Sequence, residues 1–195
     1  MRTWTLLEQA DFLTDRVPGL RVEMIGGILT VSPVRDLGHA RVLTDLTVAF
    51  LHAGLGDGEA VVVQGVGLWL PTGSEDYAIP DLSVVSAGIE DHLVEFNCYD
   101  PVAFRLVLEV TSANYNNDLN LKAVAYAQAR VPVYVVVNRG DQQLHVLSDP
   151  VEGEYTNHRI HAAGELAPLP VSLGAEVTLD VAELLEAGRP PKPEA

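Results

Sequence analysis

Apolar positions along this chain recur with two periods, and the switches between them mark out the elements. Over residues 39–52, Val42, Leu43, Leu46, Ala49 and Phe50 fall on one face at three- and four-residue spacing. That spacing predicts an amphipathic helix, closed by Gly54 and Gly56. A shorter helix is expected over 5–13 and another, capped by Asp180, over 180–186. The runs 21–25 and 28–31 flank Gly26-Gly27 and read as a hairpin, because two glycines supply the positive φ angles of a tight turn. Ser32-Pro33 ends it.

Further strands are expected over 60–64, 67–70, 81–85, 143–147 and 155–161. Residues 104–110 (Phe-Arg-Leu-Val-Leu-Glu-Val) are apolar on both faces, the pattern of a central strand. A helix over 117–129 and a strand over 133–137 follow, and the three together have the length of a right-handed βαβ crossover. The fold class expected is α/β (α+β), a mixed β-sheet flanked by helices, in one domain over 1–187. Residues 188–195, rich in proline and without an apolar anchor, read as a loose tail.

Composition alters this picture in three places. The chain has 195 residues and a formal net charge of −15, with Lys122 and Lys192 its only lysines. Charge alone therefore argues against nucleic acid, which usually meets a basic patch. Without divalent metal, binding to duplex DNA is expected to be poor. Cys98 is the single cysteine, so no internal disulfide forms, in keeping with a reducing compartment. No apolar run reaches the roughly 20 residues that span a bilayer, and the first residues do not read as a signal peptide. A cytoplasmic protein with no membrane partner is expected.

Candidate chemistry begins with an oddity of spacing. In the helix expected over 117–129, Asp118, Leu121, Lys122, Ala125, Tyr126 and Ala129 share one side. Leu and Ala turn that side to the sheet, and a lysine there needs a partner. Glu109, at the end of the preceding strand, is the natural one; a surface pair with Asp118 is the alternative. Asp81 opens its own strand after Pro80. Carboxylates at adjacent strand ends offer oxygen ligands to Mg²⁺, and a nearby lysine can assist a water and offset charge on phosphorus. Taken singly, Asp81 reads first as part of a Pro-Asp turn and Glu109 first as a strand end meeting solvent; Lys122 shifts the balance. His92, His145, His158 and His161 have no metal-ligand spacing. Phosphate-binding glycine loops, Gly-x-Ser-x-Gly elbows and cysteine-based zinc motifs are absent from the sequence.

In order and spacing, the series Glu23-Met24-Ile25-Gly26-Gly27-Ile28-Leu29, Ser32-Pro33, His39, Pro80-Asp81-Leu82, Glu109-Val110, Asp118, Lys122, Tyr126 and Val131-Pro132-Val133-Tyr134 resembles the Uma-type family of putative restriction endonucleases, within the PD-(D/E)xK nuclease superfamily. The resemblance covers residues 5–149. It implies a restriction-endonuclease-like core and a Mg²⁺-dependent endonuclease hydrolysing DNA, with Mn²⁺ as an alternative metal. Asp81 and Glu109 would bind the metal, Lys122 would assist the attacking water, and Glu23 would support the site or serve as a plain hairpin carboxylate. The usual lysine lies two residues after the second acid, where this chain has Thr111, and Lys122 takes its place. His39 either reaches a phosphate or caps and packs its helix, and Tyr126 is a second candidate for substrate contact. A homodimer would suit the cutting of two strands. Departures are Gly26-Gly27-Ile28 for the family's Asp-Gly-Glu, Thr111-Ser112-Ala113 for its Ser-Pro-Ser, and Asn138 for an acid ending the strand of Tyr134. The competing reading is a catalytically weak or inactive nuclease fold that binds protein or nucleic acid, and a hydrolase of another phosphate ester stays open.

Overall fold

The computed structural model describes residues 4–17, 20–32, 35–56, 58–111 and 117–189, and the side chains of these except Asn117 and Asp118. Pro33 as the hairpin stop, Ser112-Ala113, residues 190–195 of the tail and the Asp118 side chain proposed to pair with Lys122 lie outside the described residues.

Helix α1 (Leu6–Arg16) starts where Thr5 and Glu8 form a reciprocal capping box. Strands β1 (Arg21–Ile25) and β2 (Ile28–Ser32) form the expected hairpin, with Gly26 at φ 60° and Gly27 at φ 72°. The buried Asp76 carboxylate accepts from both turn amides, at 2.6 and 3.2 Å, so a residue from elsewhere in the chain fastens a turn that has no side chain of its own. Helix α2 (Leu37–His52) begins two residues earlier than its apolar face suggests, because Asp36 is its N-cap. Then come β3 (Ala60–Gln64), β4 (Gly67–Trp69), β5 (Tyr77–Ala78), β6 (Leu82–Ser86), β7 (Leu93–Glu95), β8 (Cys98–Tyr99) and β9 (Phe104–Thr111). A π-helical turn, Asn117–Lys122, runs into α3 (Ala123–Gln128). The chain continues with β10 (Val133–Asn138), β11 (Gln143–Val151), β12 (Glu154–Ala162), β13 (Leu166–Pro168), β14 (Thr178–Asp180) and α4 (Val181–Ala187), the last capped by Asp180 as expected.

The strands divide into two six-stranded sheets rather than one, plus the pair β13–β14. The larger sheet has the order β12-β11-β10-β9-β6-β3, and the other β2-β1-β5-β4-β8-β7. Strand β9 is interior and pairs parallel with β10, Glu109 opposite Val136, as the βαβ pattern requires. On one face of the larger sheet Leu106, Leu108, Val133 and Val135 pack with α2 and α4 residues such as Leu46, Phe50 and Leu184. On the other, Val107, Tyr134 and Val136 pack with Tyr126 and Ala125 of α3 and with Leu68 and Ile25 of the second sheet. The segment Ile79-Pro80-Asp81 carries the chain from β5 in one sheet to β6 in the other. That crossing point positions the candidate site. No helix among the described residues is long and apolar enough to cross a membrane.

Strands β11 and β12 are longer than expected, and their register brings together two histidines that linear spacing keeps apart. His145 Nδ1 lies 2.9 Å from His158 Nε2. One ring must donate and the other accept, so the accepting imidazole must be neutral. Burial first, then the neighbouring His158, lowers His145 from 6.5 to about 4, and burial lowers His158 as well. Because the unfolded chain takes up these protons first, the pair contributes stability above pH 6.5 that is lost as pH falls toward about 4. Urea unfolding across that window should show a steeper acid loss for the wild type than for His145→Leu. Parallel curves would mean the pair does not titrate with folding.

Candidate functional site

Three carboxylates from three elements meet where the two sheets adjoin. Glu23 projects from β1, Asp81 precedes β6 and Glu109 lies near the end of β9; they are 2%, 6% and 1% exposed. The pairing of Leu82 with Leu108 brings Asp81 beside Val110, whose amide donates to Asp81 Oδ2 at 2.8 Å. The Ile79 amide donates to Glu23 Oε1 at 2.8 Å. Buried carboxylates are costly unless paired, and the pairing here is dense.

Lys122 Nζ donates to Glu109 Oε1 at 2.7 Å and lies 3.0 and 3.1 Å from the two oxygens of Glu23. The lysine on the sheet-facing stripe therefore meets Glu109, and also a carboxylate from the other sheet. It sits at the end of the π-helical turn, a device that often marks functional stretches of helix. Tyr126, one α-turn on and fully buried, donates its hydroxyl to the same Glu109 oxygen at 3.1 Å.

Arg21, which carried no assignment in the sequence reading, is central. Its Nη1 donates to Asp81 Oδ1 at 2.7 Å and to the Ile79 carbonyl at 2.6 Å. Its Nη2 lies 3.6 Å from Glu109 Oε2 and its Nε 3.6 Å from Glu23 Oε2. One guanidinium thus faces all three carboxylates. A signal for it existed: Arg21 is two residues before Glu23 on a strand, hence on the same face. Arg35 Nη2 adds a 3.0 Å contact to Asp81 Oδ1, and no spacing in the sequence points to it. His39 Nε2 lies 3.0 Å from Asp81 Oδ2.

The helix carrying His39 is fixed from its outer side. Asp36 Oδ1 accepts from the His39 amide at 2.7 Å, and Arg139 grips both Asp36 oxygens at 3.0 Å. Arg139 also donates to the Gly188 carbonyl at 2.7 Å, and α2 approaches so closely that a Cβ on Gly38 would stand 2.7 Å from that carbonyl oxygen. Glycine is needed there for the backbones to touch. Asn138, at the end of β10, bonds Asp141 and the amides of Gly140 and Asp141, and so builds the turn that follows.

Environment separates the carboxylates. Burial works to raise Asp81, but the His39 imidazole, the Arg21 charge and the Val110 amide outweigh it and hold the carboxyl below its usual range. Glu109 goes the other way: burial, with the charges of Asp81 and Glu23, raises it well above the usual value against the pull of Lys122 and Arg21. Burial disfavours the Arg21 cation, yet Glu109, Glu23 and Asp81 together raise its pKa, so it stays charged. Glu23, Asp81 and Glu109 against Arg21, Arg35 and Lys122 give this set a formal charge of zero.

Carboxylate oxygens are hard donors, and Mg²⁺ is commonly held by only one or two of them together with water and substrate phosphate. Asp81 and Glu109 flank one guanidinium, at 2.7 and 3.6 Å, so they are the residues that could hold a divalent cation, which would have to displace Arg21. Among the described residues no group of three or more His, Cys, Asp and Glu side chains is arranged as metal ligands.

Comparison with known proteins agrees with this architecture. A solved structure from Anabaena variabilis, titled as a putative nuclease belonging to DUF820, superposes with a TM-score of 0.67 at 14% identity, covering 86% of this chain and 91% of that one. At that identity the likeness concerns the fold. No curated protein sequence matches. The Uma2 family, described as "Putative restriction endonuclease", matches residues 7–182. That span takes in every residue of the carboxylate cluster, and the chain belongs to the Uma2 family.

Proposed function

We propose that this protein is a Mg²⁺-dependent endonuclease that hydrolyses DNA phosphodiester bonds, with Asp81 and Glu109 as the metal ligands. The observation that carries the reading is Lys122 Nζ held 2.7 Å from Glu109 Oε1 and 3.0 Å from Glu23 Oε1, with Arg21 bridging Glu109 and Asp81. The bound cation would supply Lewis acidity and a lowered pKa for water. Lys122 orients the attacking water and offsets charge gathering on the phosphate. Glu23 holds the lysine in place. Arg35, with a side chain 34% exposed, is the most open cation of the set and meets the substrate phosphate. His39 and Tyr126, candidates for substrate contact in the sequence, are read here as positioning groups. His39 is 4% exposed and turned to Asp81, and Tyr126 is fully buried against Glu109.

The test pairs calorimetry with cleavage. Mn²⁺ titration should show a site that Asp81→Ala loses, and Mg²⁺-dependent cutting of DNA should vanish in the same variant. Unchanged Mn²⁺ binding in Asp81→Ala would remove the ligand assignment. DNA binding without cutting by the wild type would favour the binding-module reading. Glu109's raised pKa adds a sign: its carboxylate form is needed for the metal, so Mn²⁺ affinity should fall with falling pH, and at a higher pH than an ordinary carboxylate would set.

A further inference from the structure

We infer that the cleft beside the carboxylate site is a subsite for one unpaired nucleobase of the strand being cut. The inference rests on the nuclease reading above and adds to it the form of the substrate.

Position comes first. The cleft, about 270 Å³, lies between α1 and the second sheet, and Arg21 and Ile79 form part of its wall. Both belong to the site as well: Arg21 Nη1 donates to Asp81 Oδ1 at 2.7 Å, and the Ile79 amide donates to Glu23 Oε1 at 2.8 Å. Cleft and site share these two residues. Pockets for drug-sized ligands begin at about 300 Å³, so this one suits a single ring system rather than a stacked pair.

Its lining has the chemistry of base recognition. Leu7, Val22 and Tyr77 provide apolar and aromatic surface, and Thr14 and Asn97 provide hydrogen-bonding groups. Phe96 stands at the rim, 48% exposed. An aromatic ring there can stack on any base, because every base has a π-face.

The backbone gives an independent reason to single out Phe96. Glu95 pairs with Cys98, leaving a two-residue turn in which Phe96 has φ 48° and Asn97 φ 58°. Such a turn calls for Asn-Gly, and a bulky residue in its first position is strained. Local folding does not select phenylalanine there, and the residue is half exposed. A stacking role at the cleft mouth accounts for both facts.

Charge points to an unpaired strand. The six charged groups of the site cancel, so the net −15 of the chain belongs to the rest of the molecule. A duplex would bring one phosphate charge per roughly 1.7 Å of axis across that field. An unpaired strand brings about half that density, one charge per roughly 3.4 Å.

The experiment uses the full chain with Mg²⁺ and a short phosphorothioate strand that resists cutting and carries one 2-aminopurine, free or annealed to its complement. The free strand should bind at least about tenfold tighter than the annealed one, with the fluorescence quenched by stacking. Phe96→Gly should lose the quench and about tenfold in affinity, roughly 1.4 kcal/mol, while its melting temperature holds or rises, since glycine suits the turn. Phe96→Trp should keep the quench. Equal binding of both strands, no binding by the wild type, or an intact quench in Phe96→Gly overturns the inference. Asp81-dependent cleavage with unchanged binding in Phe96→Gly sinks the subsite and spares the nuclease reading. A quench lost in Phe96→Gly in a protein that never cleaves supports the subsite and sinks that reading.

Discussion

Replacing Lys122 with methionine should remove cleavage, by about 100- to 1000-fold or more, and should also cost the fold about 3–5 kcal/mol. The family resemblance implies for Lys122 a role in assisting the attacking water, and says nothing of the fold. The structure adds a second role: Lys122 is 5% exposed, and its ammonium holds together Glu23 from one sheet and Glu109 from the other. Without it, two buried carboxylates face each other. The variant can relieve this by protonating Glu109, already raised by burial and by its neighbours' charges. A group with a raised folded-state pKa favours the fold at low pH and stops doing so as pH rises through that value. Lys122→Met should therefore be least destabilised in mild acid and most destabilised above neutrality. Adding Glu23→Gln should restore much of the stability but none of the cleavage. Denaturant unfolding against pH and single-turnover cleavage are the measurements. Wild-type cutting by Lys122→Met would end the catalytic assignment, and unchanged stability would end the account of the buried network.

The parts of this molecule that could be read from the sequence are those whose cause is local. Gly26-Gly27 sets the first hairpin, the apolar run of β9 and the three-four spacing of α2 and α3 follow from burial on one or two faces, and Lys122 betrays itself by its place on an apolar stripe. What escaped depends on partners distant in sequence. β5 and β8 are two residues long and exist because β1 and β4 pair with them, so no periodicity can announce them. Without them the division into two sheets is invisible, and with it the junction where the site lies. Arg21 at the start of a strand shares a face with Glu23, but its role shows only once β1 is seen against Asp81 and Glu109. The His145–His158 contact depends on a register in which Leu147, not His145, opposes His158. Asp81 and Glu109 are legible as acids at strand ends, but their opposite pKa displacements arise from His39, Arg21 and depth of burial.

Arg21→Met should reveal what the guanidinium does. Methionine keeps much of the apolar stem and removes the charge. With no metal added, Glu23, Asp81 and Glu109 then share only Lys122 and Arg35 as full cations, and unfolding should show a loss of about 3–5 kcal/mol. Metal should reverse much of it. A ligand at 100 times its dissociation constant adds about 2.7 kcal/mol to any fold that binds it. The gain should be larger here, because in the wild type a divalent ion must compete with the cation that lies 2.7 Å from Asp81 and 3.6 Å from Glu109. Removing the competitor should tighten Mn²⁺ binding by about tenfold or more. Cleavage need not follow: the same guanidinium orders Asp81 and contributes positive charge, so tighter metal binding with weaker turnover is expected. Calorimetric titration of both proteins, with thermal unfolding in Mn²⁺ and in EDTA, reads each part. If Arg21→Met binds Mn²⁺ no better than the wild type, arginine and metal do not contend for one place, and the shared-cation site between Asp81 and Glu109 must be given up.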